Sequence, residues 1–498
     1  MSRRQARLAA LALCLVAAGL SACSGSSGGH AAGGDVGAPT AVIQTNTLVD
    51  TPVVVSVRAV CRLVADNPDA AQSQVRGVDG APSVVFGGRG YWFFGDTVRN
   101  GPGGRQDVIA ATVATSTDFD GHDCVRLEFK KADGAAVPLF PHAEETTAWP
   151  DGVFVRDDGS IAFYMVKVHR DSPFAWHVSS VGLGHVAAGT TDGTRDVETI
   201  WDDRSGFGDR IAGVRSPVRD GEDVIVYLHK EHGGNYVARA PAARMGEAAA
   251  YTYWDGAAWQ PRPQAAAPMW PPEDPASTLP ADNGVSVTFE PGIGKWMAMY
   301  DGDLATVKVR TSEHPWGPWS EPTTWLDCRK LVEDVYPYCY SAEPHRELSN
   351  DPSTIYISFS SQKPYDVTLL EVHLGVAIYE WRGDDGALRY APVSPGDGDS
   401  DAGAAFYASY VAAPGLARVY LAKDGTYSLQ PPDSGTLPSF YAFATADGGA
   451  VHTQPVYRWR RDGHEALGTG ERAGWTRGEI AFYVVCPRLK PGNADCAG

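Results

Sequence analysis

The sequence has no long amphipathic stretch: nowhere do apolar residues recur every three or four positions for long enough to build a substantial helix. It has no H-E-x-x-H and no C-x-x-C, so the common zinc signatures are missing and neither a metal nor any other cofactor is expected. His229 and His232 stand three apart, which is too little for a metal site and reads as surface histidines. Basic residues are short relative to acidic ones, 42 Lys and Arg against 60 Asp and Glu, for a formal net charge of −18. That balance argues against nucleic acid or another polyanion as a partner and suits a neutral polysaccharide. Nor is there an apolar run long enough to span a bilayer: Leu8 to Leu20 is too short.

That short run has the proportions of a signal-peptide core, preceded by Arg3, Arg4 and Arg7. It ends in Leu20-Ser21-Ala22-Cys23, which resembles the lipobox of bacterial lipoproteins. The resemblance implies cleavage after residue 22 and acylation of Cys23. Two or more acyl chains hold a protein stably to a membrane. Residues 23–50 then read as a flexible leash rich in Ser, Gly and Ala. The expected location is therefore outside the cytoplasm, on a membrane facing the periplasm or the cell exterior, with the chain acting as a monomer. Six further cysteines, an even number, suggest disulfides in such a compartment. Proximity favours Cys328–Cys339 and Cys486–Cys496, which leaves Cys61 with Cys124.

What the sequence does contain is short β-branched and aromatic runs separated by Gly, Pro, Asp and Asn, the pattern of an all-β protein. Val84-Val85-Phe86 and Tyr91-Trp92-Phe93-Phe94 flank Gly87 to Gly90 as a hairpin. Similar pairs follow at Gly152–Val155 with Ile161–Met165, at Ser216–Val218 with Val224–Leu228, and at Val285–Val287 with Trp296–Tyr300. A fifth pairs Tyr338–Ser341 with Ile355–Phe359. They recur at roughly 60–70 residues, the spacing of a repeating four-strand unit that cannot bury its faces alone. The expected fold is a five-bladed β-propeller over residues 51–374, with a large β-sandwich or jelly roll as the competitor.

Residues 375–498 repeat on a shorter period. Ile378-Tyr379, Val419-Tyr420 and Val456-Tyr457 are each followed by an Asp-Gly pair and then by Phe406-Tyr407, Phe440-Tyr441 or Phe482-Tyr483. The steps from Tyr379 to Tyr420 to Tyr457 are 41 and 37 residues. Three copies of that size suggest a β-trefoil. The last copy, with Gly474-Trp475 and Gly478 to Tyr483, also resembles the repeats of domain of unknown function 5648.

A propeller brings side chains from distant parts of the chain to a funnel on its axis. Asp79 in Val78-Asp79-Gly80 and Asp96 in Phe94-Gly95-Asp96-Thr97 bracket the first hairpin and are placed to meet there. Two carboxyl groups are the equipment for cutting a glycosidic bond, one as acid and one as base or nucleophile. On spacing alone the two aspartates read first as a turn residue before Gly80 and a strand-end cap. Arg76 to Gly80 together with Tyr91 to Thr97 resembles the opening signature of domain of unknown function 4185. Ala148-Trp149-Pro150-Asp151-Gly152 is similar to its second-blade motif, and Tyr340 to His345 with Ser360 to Leu370 to its fifth. The family includes glycoside hydrolases of family 183, which cut D-arabinan internally on a five-bladed propeller. The resemblance implies that Asp79 and Asp96 are the catalytic carboxylates and that the substrate is D-arabinan or a related furanoside polymer. Trp149 is then a sugar-stacking candidate and Asp151 a third carboxylate. Glu343 and His345 are expected to line the funnel, and Arg215 to bind hydroxyls or pair with the aspartates. The alternative is a surface lipoprotein that binds a glycan or a protein partner without cutting.

Overall fold

The computed structural model describes residues 53–485 apart from 102–105, 118–122, 141–146, 173–174, 209, 231–232, 272–282, 291–293, 302–304, 329–330, 332–338, 350, 352, 383–387, 392–404, 410–411, 414, 423–424, 434–437 and 447–452. Cys23 and its leash, Cys486, Cys496 and His232 lie outside the described residues. The protein is largely β, and five antiparallel sheets of four or more strands follow one another along the chain. Their first strands are Ser83–Phe86, Thr147–Val155, Ile211–Asp220, Asn283–Glu290 and Cys339–His345. The only described α-helix is the five-residue Pro68–Gln72.

The alternation of side chains along the second strands decides how these sheets pack. Ile161, Phe163 and Met165 join Tyr91 and Phe93 of the first sheet. Ala162, Tyr164 and Val166, on the opposite face of the same strand, join Val224, Val226 and Leu228 of the third. Ile225 and Tyr227 of the third meet Ala298 and Tyr300 of the fourth. Met297 and Met299 of the fourth meet Ile355, Ile357 and Phe359 of the fifth. Finally Val367 and Leu369 of the fifth meet Trp92 and Phe94 of the first. Each sheet is thus buried on both faces, which is why its central strand reads as a continuous apolar run and not as an alternating one. The contacts run from sheet to sheet and return to the start, the arrangement of a propeller-like fold.

Closure uses the first described strand. Val53–Arg62 pairs with Tyr365–Arg382, so the fifth sheet takes its outermost strand from the start of the described chain. Two disulfides brace the ring, Cys61–Cys124 and Cys328–Cys339. Val113-Ala114-Thr115-Ser116 and Val309-Arg310-Thr311-Ser312, similar in sequence, occupy the third strands of the first and fourth sheets.

Tyr365–Arg382 is one strand of 18 residues that leaves the fifth sheet and enters the C-terminal module, so the boundary expected at 374/375 falls inside it. In that module each sequence repeat supplies three strands, the first repeat sharing the 18-residue one with the fifth sheet. Phe406, Phe440 and Phe482 form a triangle with ring centroids 5.6, 5.6 and 5.8 Å apart. Ile378, Val419 and Val456 are fully buried in the same core. The thrice-repeated Phe-Tyr pair is thus the sequence trace of a threefold core.

Candidate active site

The first strands converge on a cavity of about 680 Å³. Four of them carry the same irregularity. The ladder slips between Asp151 and Val153, Arg215 and Val218, Asn283 and Ser286, and Tyr340 and Glu343. At each slip one residue takes a left-handed conformation: Gly152 (φ 51), Ser216 (φ 42), Gly284 (φ 65) and Ser341 (φ 55). Gly80 (φ 60), just before the first strand of the first sheet, is the fifth of the set. A bulge of this kind bends a strand and re-aims the neighbouring side chain. The residue preceding each left-handed position is Asp79, Asp151, Arg215, Asn283 or Tyr340, and Asp79, Asp151, Arg215 and Tyr340 line the cavity. Two of the left-handed residues are serines, in a region few non-glycine residues adopt, which marks the site as strained.

Asp79 and Asp96 line this cavity together with Trp149, Asp151, Arg215 and Glu343. Asp79 Oδ1 accepts the backbone N–H of Asp96 at 2.9 Å, and its Oδ2 accepts the Tyr340 hydroxyl at 3.1 Å. The Tyr365 hydroxyl donates to the Asp96 carbonyl at 3.0 Å. Burial, reinforced by the charge of Asp96, pushes the Asp79 carboxyl up to about 6; Tyr365, Tyr340 and the Asp96 N–H oppose that rise. Both tyrosine hydroxyls are held well above their usual value, chiefly by burial, and stay protonated. The Trp149 indole N–H donates to Asp96 Oδ1 at 3.0 Å, which fixes that carboxylate's direction. Gly95 makes the crowding feasible, since a Cβ there would lie 2.6 Å from Asp79 Oδ1.

The deeper wall is an ion network around Arg215. Its Nη1 donates to Glu343 Oε1 at 2.7 Å, and its Nε lies 3.5 Å from Asp151 Oδ1. Asp151 Oδ2 also accepts the Val214 N–H at 2.9 Å, and Glu343 Oε2 accepts the Ser286 hydroxyl at 2.7 Å. Burial raises the Asp151 and Glu343 carboxyls, and the Arg215 guanidinium works against it. Gly284 lets the guanidinium pass, because a Cβ there would sit 2.5 Å from Arg215 Nε.

His345 does not reach the cavity. It is 1 % exposed, with Nδ1 2.6 Å from Ser83 Oγ and Nε2 2.8 Å from Ser358 Oγ, and its ring packs against Trp92. Its position in Glu343-Pro344-His345 puts it on the same face as Glu343, but two residues further along the strand and away from the cavity, where it ties the fifth sheet to the first. His229, read from the sequence as a surface residue, is buried and lines the cavity, with Nδ1 3.2 Å from Asn235 Oδ1. Tyr340 and Tyr365 lie within the segments that resemble the fifth-blade signature, but nothing in that pattern marks them as hydrogen-bond partners of the two aspartates. Tyr340 shares one signal with Asp79, Asp151 and Arg215: each immediately precedes a left-handed Gly or Ser near the start of its unit.

The profile of a domain of unknown function, DUF4185, matches residues 65–371. The chain belongs to the DUF4185 family. The match covers all five sheets' first strands and every cavity residue named above. No curated protein matches the sequence. Among solved structures, this DUF4185 chain is similar to an α-L-arabinofuranosidase from Podospora anserina solved with cellotriose, at 11 % identity over 65 % of this chain and 98 % of that one, TM-score 0.42. It is similar to the same extent to the catalytic domain of a GH62 α-L-arabinofuranosidase from Coprinopsis cinerea, at 11 % identity, 65 % and 98 % coverage and TM-score 0.42. A GH43_1 enzyme from Xanthomonas citri is similar at 14 % identity over 68 % of this chain and 97 % of that one, TM-score 0.39.

Proposed function

We propose that this DUF4185 protein is a glycoside hydrolase that cuts D-arabinan or a related furanoside polysaccharide internally. The observation that carries the reading is the pairing of Asp79 and Asp96 in one cavity, with Asp79 pushed up to about 6 and Asp96 oriented by Trp149. Such a pair divides the labour of glycoside cleavage. Asp79 holds a proton at mildly acidic pH and gives it to the leaving oxygen. Asp96 acts on the anomeric carbon, as nucleophile or through water. The indole face of Trp149 offers a flat apolar surface to the C–H face of a furanose, while Arg215, Asp151 and Glu343 form the hydroxyl-binding wall. The closed circuit of sheet contacts supports five propeller blades, and the triangle of phenylalanines supports a β-trefoil behind them. With acyl chains on Cys23, the catalytic head is held outside the cytoplasm, beside polymer it can sweep.

The test is incubation of the soluble chain beginning after Pro39 with D-arabinan, arabinogalactan, xylan and a polyuronide. A ladder of short arabinan oligosaccharides is expected. Tight retention of the polymer with no new reducing ends would instead make the protein a glycan-binding module.

A further inference from the structure

One buried carboxyl group beside the cavity takes no part in that scheme. Asp301 ends the second strand of the fourth sheet, Lys295–Asp301, and is 1 % exposed. It does not line the cavity, so it cannot touch a substrate there. Its Oδ2 accepts the Ser341 N–H at 2.8 Å, and its carboxyl also receives the Ala342 N–H. Its Oδ1 is buried and has no hydrogen-bond partner among the described residues.

Ser341 is one of the left-handed residues, at φ 55. A serine holds that conformation only when its surroundings enforce it. Two contacts do so: Asp301 on its N–H, and Arg215 Nη2 on its hydroxyl at 2.8 Å. The turn at Ser341 sets the direction of Tyr340 just before it, and the Tyr340 hydroxyl donates to Asp79 Oδ2. A chain of contacts therefore runs from the fourth sheet, through the fifth, to the carboxyl of the first.

We propose that Asp301 is a positioning residue: it pins the turn at Ser341 and, through Tyr340, sets the proton affinity of Asp79. This deepens the hydrolase reading and rests on it for the role of Asp79, though not for the contact chain itself. The charged and titratable groups facing Asp79 are Asp96, Tyr340 and Tyr365. Those facing Asp301 are Arg215, Glu343 and Tyr340. Burial pushes the Asp301 carboxyl up to about 7, with Arg215 and the two N–H groups opposing. When Asp301 is protonated the proton belongs on Oδ1, because Oδ2 is occupied as an acceptor. Asp301→Asn reproduces that form, with its carbonyl at Oδ2 and its amide at Oδ1, and so retains the pin. Asp301→Ala removes it.

The experiment is a pH titration of the Asp79 carboxyl by 13C NMR in the soluble chain labelled at aspartate Cγ, without substrate. The resonance is assigned by its absence in Asp79→Asn. Tyr340→Phe removes a hydrogen bond to the charged form and is expected to raise the Asp79 midpoint by about one pH unit. Asp301→Ala is expected to raise it similarly, the two together no further than either alone, and Asp301→Asn to stay near wild type. Ser341→Gly supplies a residue that adopts the left-handed turn unaided, so Asp301→Ala with Ser341→Gly is expected to return toward wild type. That double variant also covers the case in which Asp301→Ala alone does not fold. The proposal is overturned if Asp301→Ala leaves the midpoint in place, if its effect adds to that of Tyr340→Phe, or if the glycine fails to restore it. Failure to cut arabinan would sink the hydrolase reading alone, since this titration needs no turnover.

Discussion

The backbone N–H of Asp96 donates to Asp79 Oδ1 at 2.9 Å, so main chain fixes one acidic residue of the pair against the other. The strand Arg89–Phe94 and the glycine after it deliver that contact. A carboxylate clamped by backbone loses little freedom when it reacts, and small shifts of the clamp are costly.

Gly95→Ala tests the clamp. The added methyl would meet Asp79 Oδ1 at 2.6 Å, within a segment whose φ any residue accepts. Hydrolysis is expected to fall on the order of 10²-fold, as for a carboxyl displaced by about 1 Å. The melting temperature should change little, and kinetics with calorimetry check both.

Trp149→Phe separates the two uses of the indole. It keeps an aromatic face but removes the N–H that Asp96 Oδ1 accepts at 3.0 Å. The expected result is a kcat lowered about tenfold, the scale of one hydrogen bond to a charged group, with KM nearly unchanged. Trp149→Ala should raise KM as well. Equal effects of Phe and Ala would show that the N–H does nothing for turnover.

Stability should fall as pH rises. Burial pushes Asp79 and Asp366 to about 6, and Asp301 and Glu290 to about 7. For a carboxyl whose folded value is raised, the folded state binds the proton more tightly. The stabilisation is complete below the unfolded value and is lost as pH climbs through the folded one. Glu371, held down at about 2 against burial by His373 and Arg58, acts oppositely and only in strong acid. Thermal melts are expected to decline from about pH 5 to pH 8, with Glu290→Gln and Asp301→Asn flattening the slope. A melting temperature that rises over that interval would contradict the assignment.

Arg215→Met removes a cation shared by Asp151 and Glu343. Both buried carboxyls would lose their ion-pair partner, and Asp301 a nearby opposite charge, a loss of about 3–5 kcal/mol. Denaturant unfolding measures it, and a further substitution of Glu343→Gln in the same chain should recover part of the loss.

Much of this was legible in the sequence because it follows from local pattern. The hairpins around Gly87–Gly90 and Asp157–Gly159, the Phe-Tyr repeats and the Cys61–Cys124 pairing are consequences of turn chemistry, period and count. Asp79, Asp96, Trp149 and Asp151 were legible as motif residues, and their meeting in one cavity depends on the blades closing. What could not be read is anything set by a bulge. Nothing near His345 tells that Glu343, just past the slip at Ser341, faces the cavity while the imidazole, two residues further along the same face, is buried between the first and fifth sheets. Asp301 is equally silent, since it acts on a strand 40 residues away through backbone N–H groups.

The most direct test of the central claim compares wild type, Asp79→Asn and Asp96→Asn on D-arabinan, with reducing-end release and polymer binding measured on the same folded samples. Each substitution is expected to lower release by at least about 10²-fold, the contribution of one acid or base, while polymer binding and the melting profile at pH 5 persist. In the wild type, release should decline as pH rises through about 6, following the proton on Asp79. Release undiminished in either variant would contradict the account.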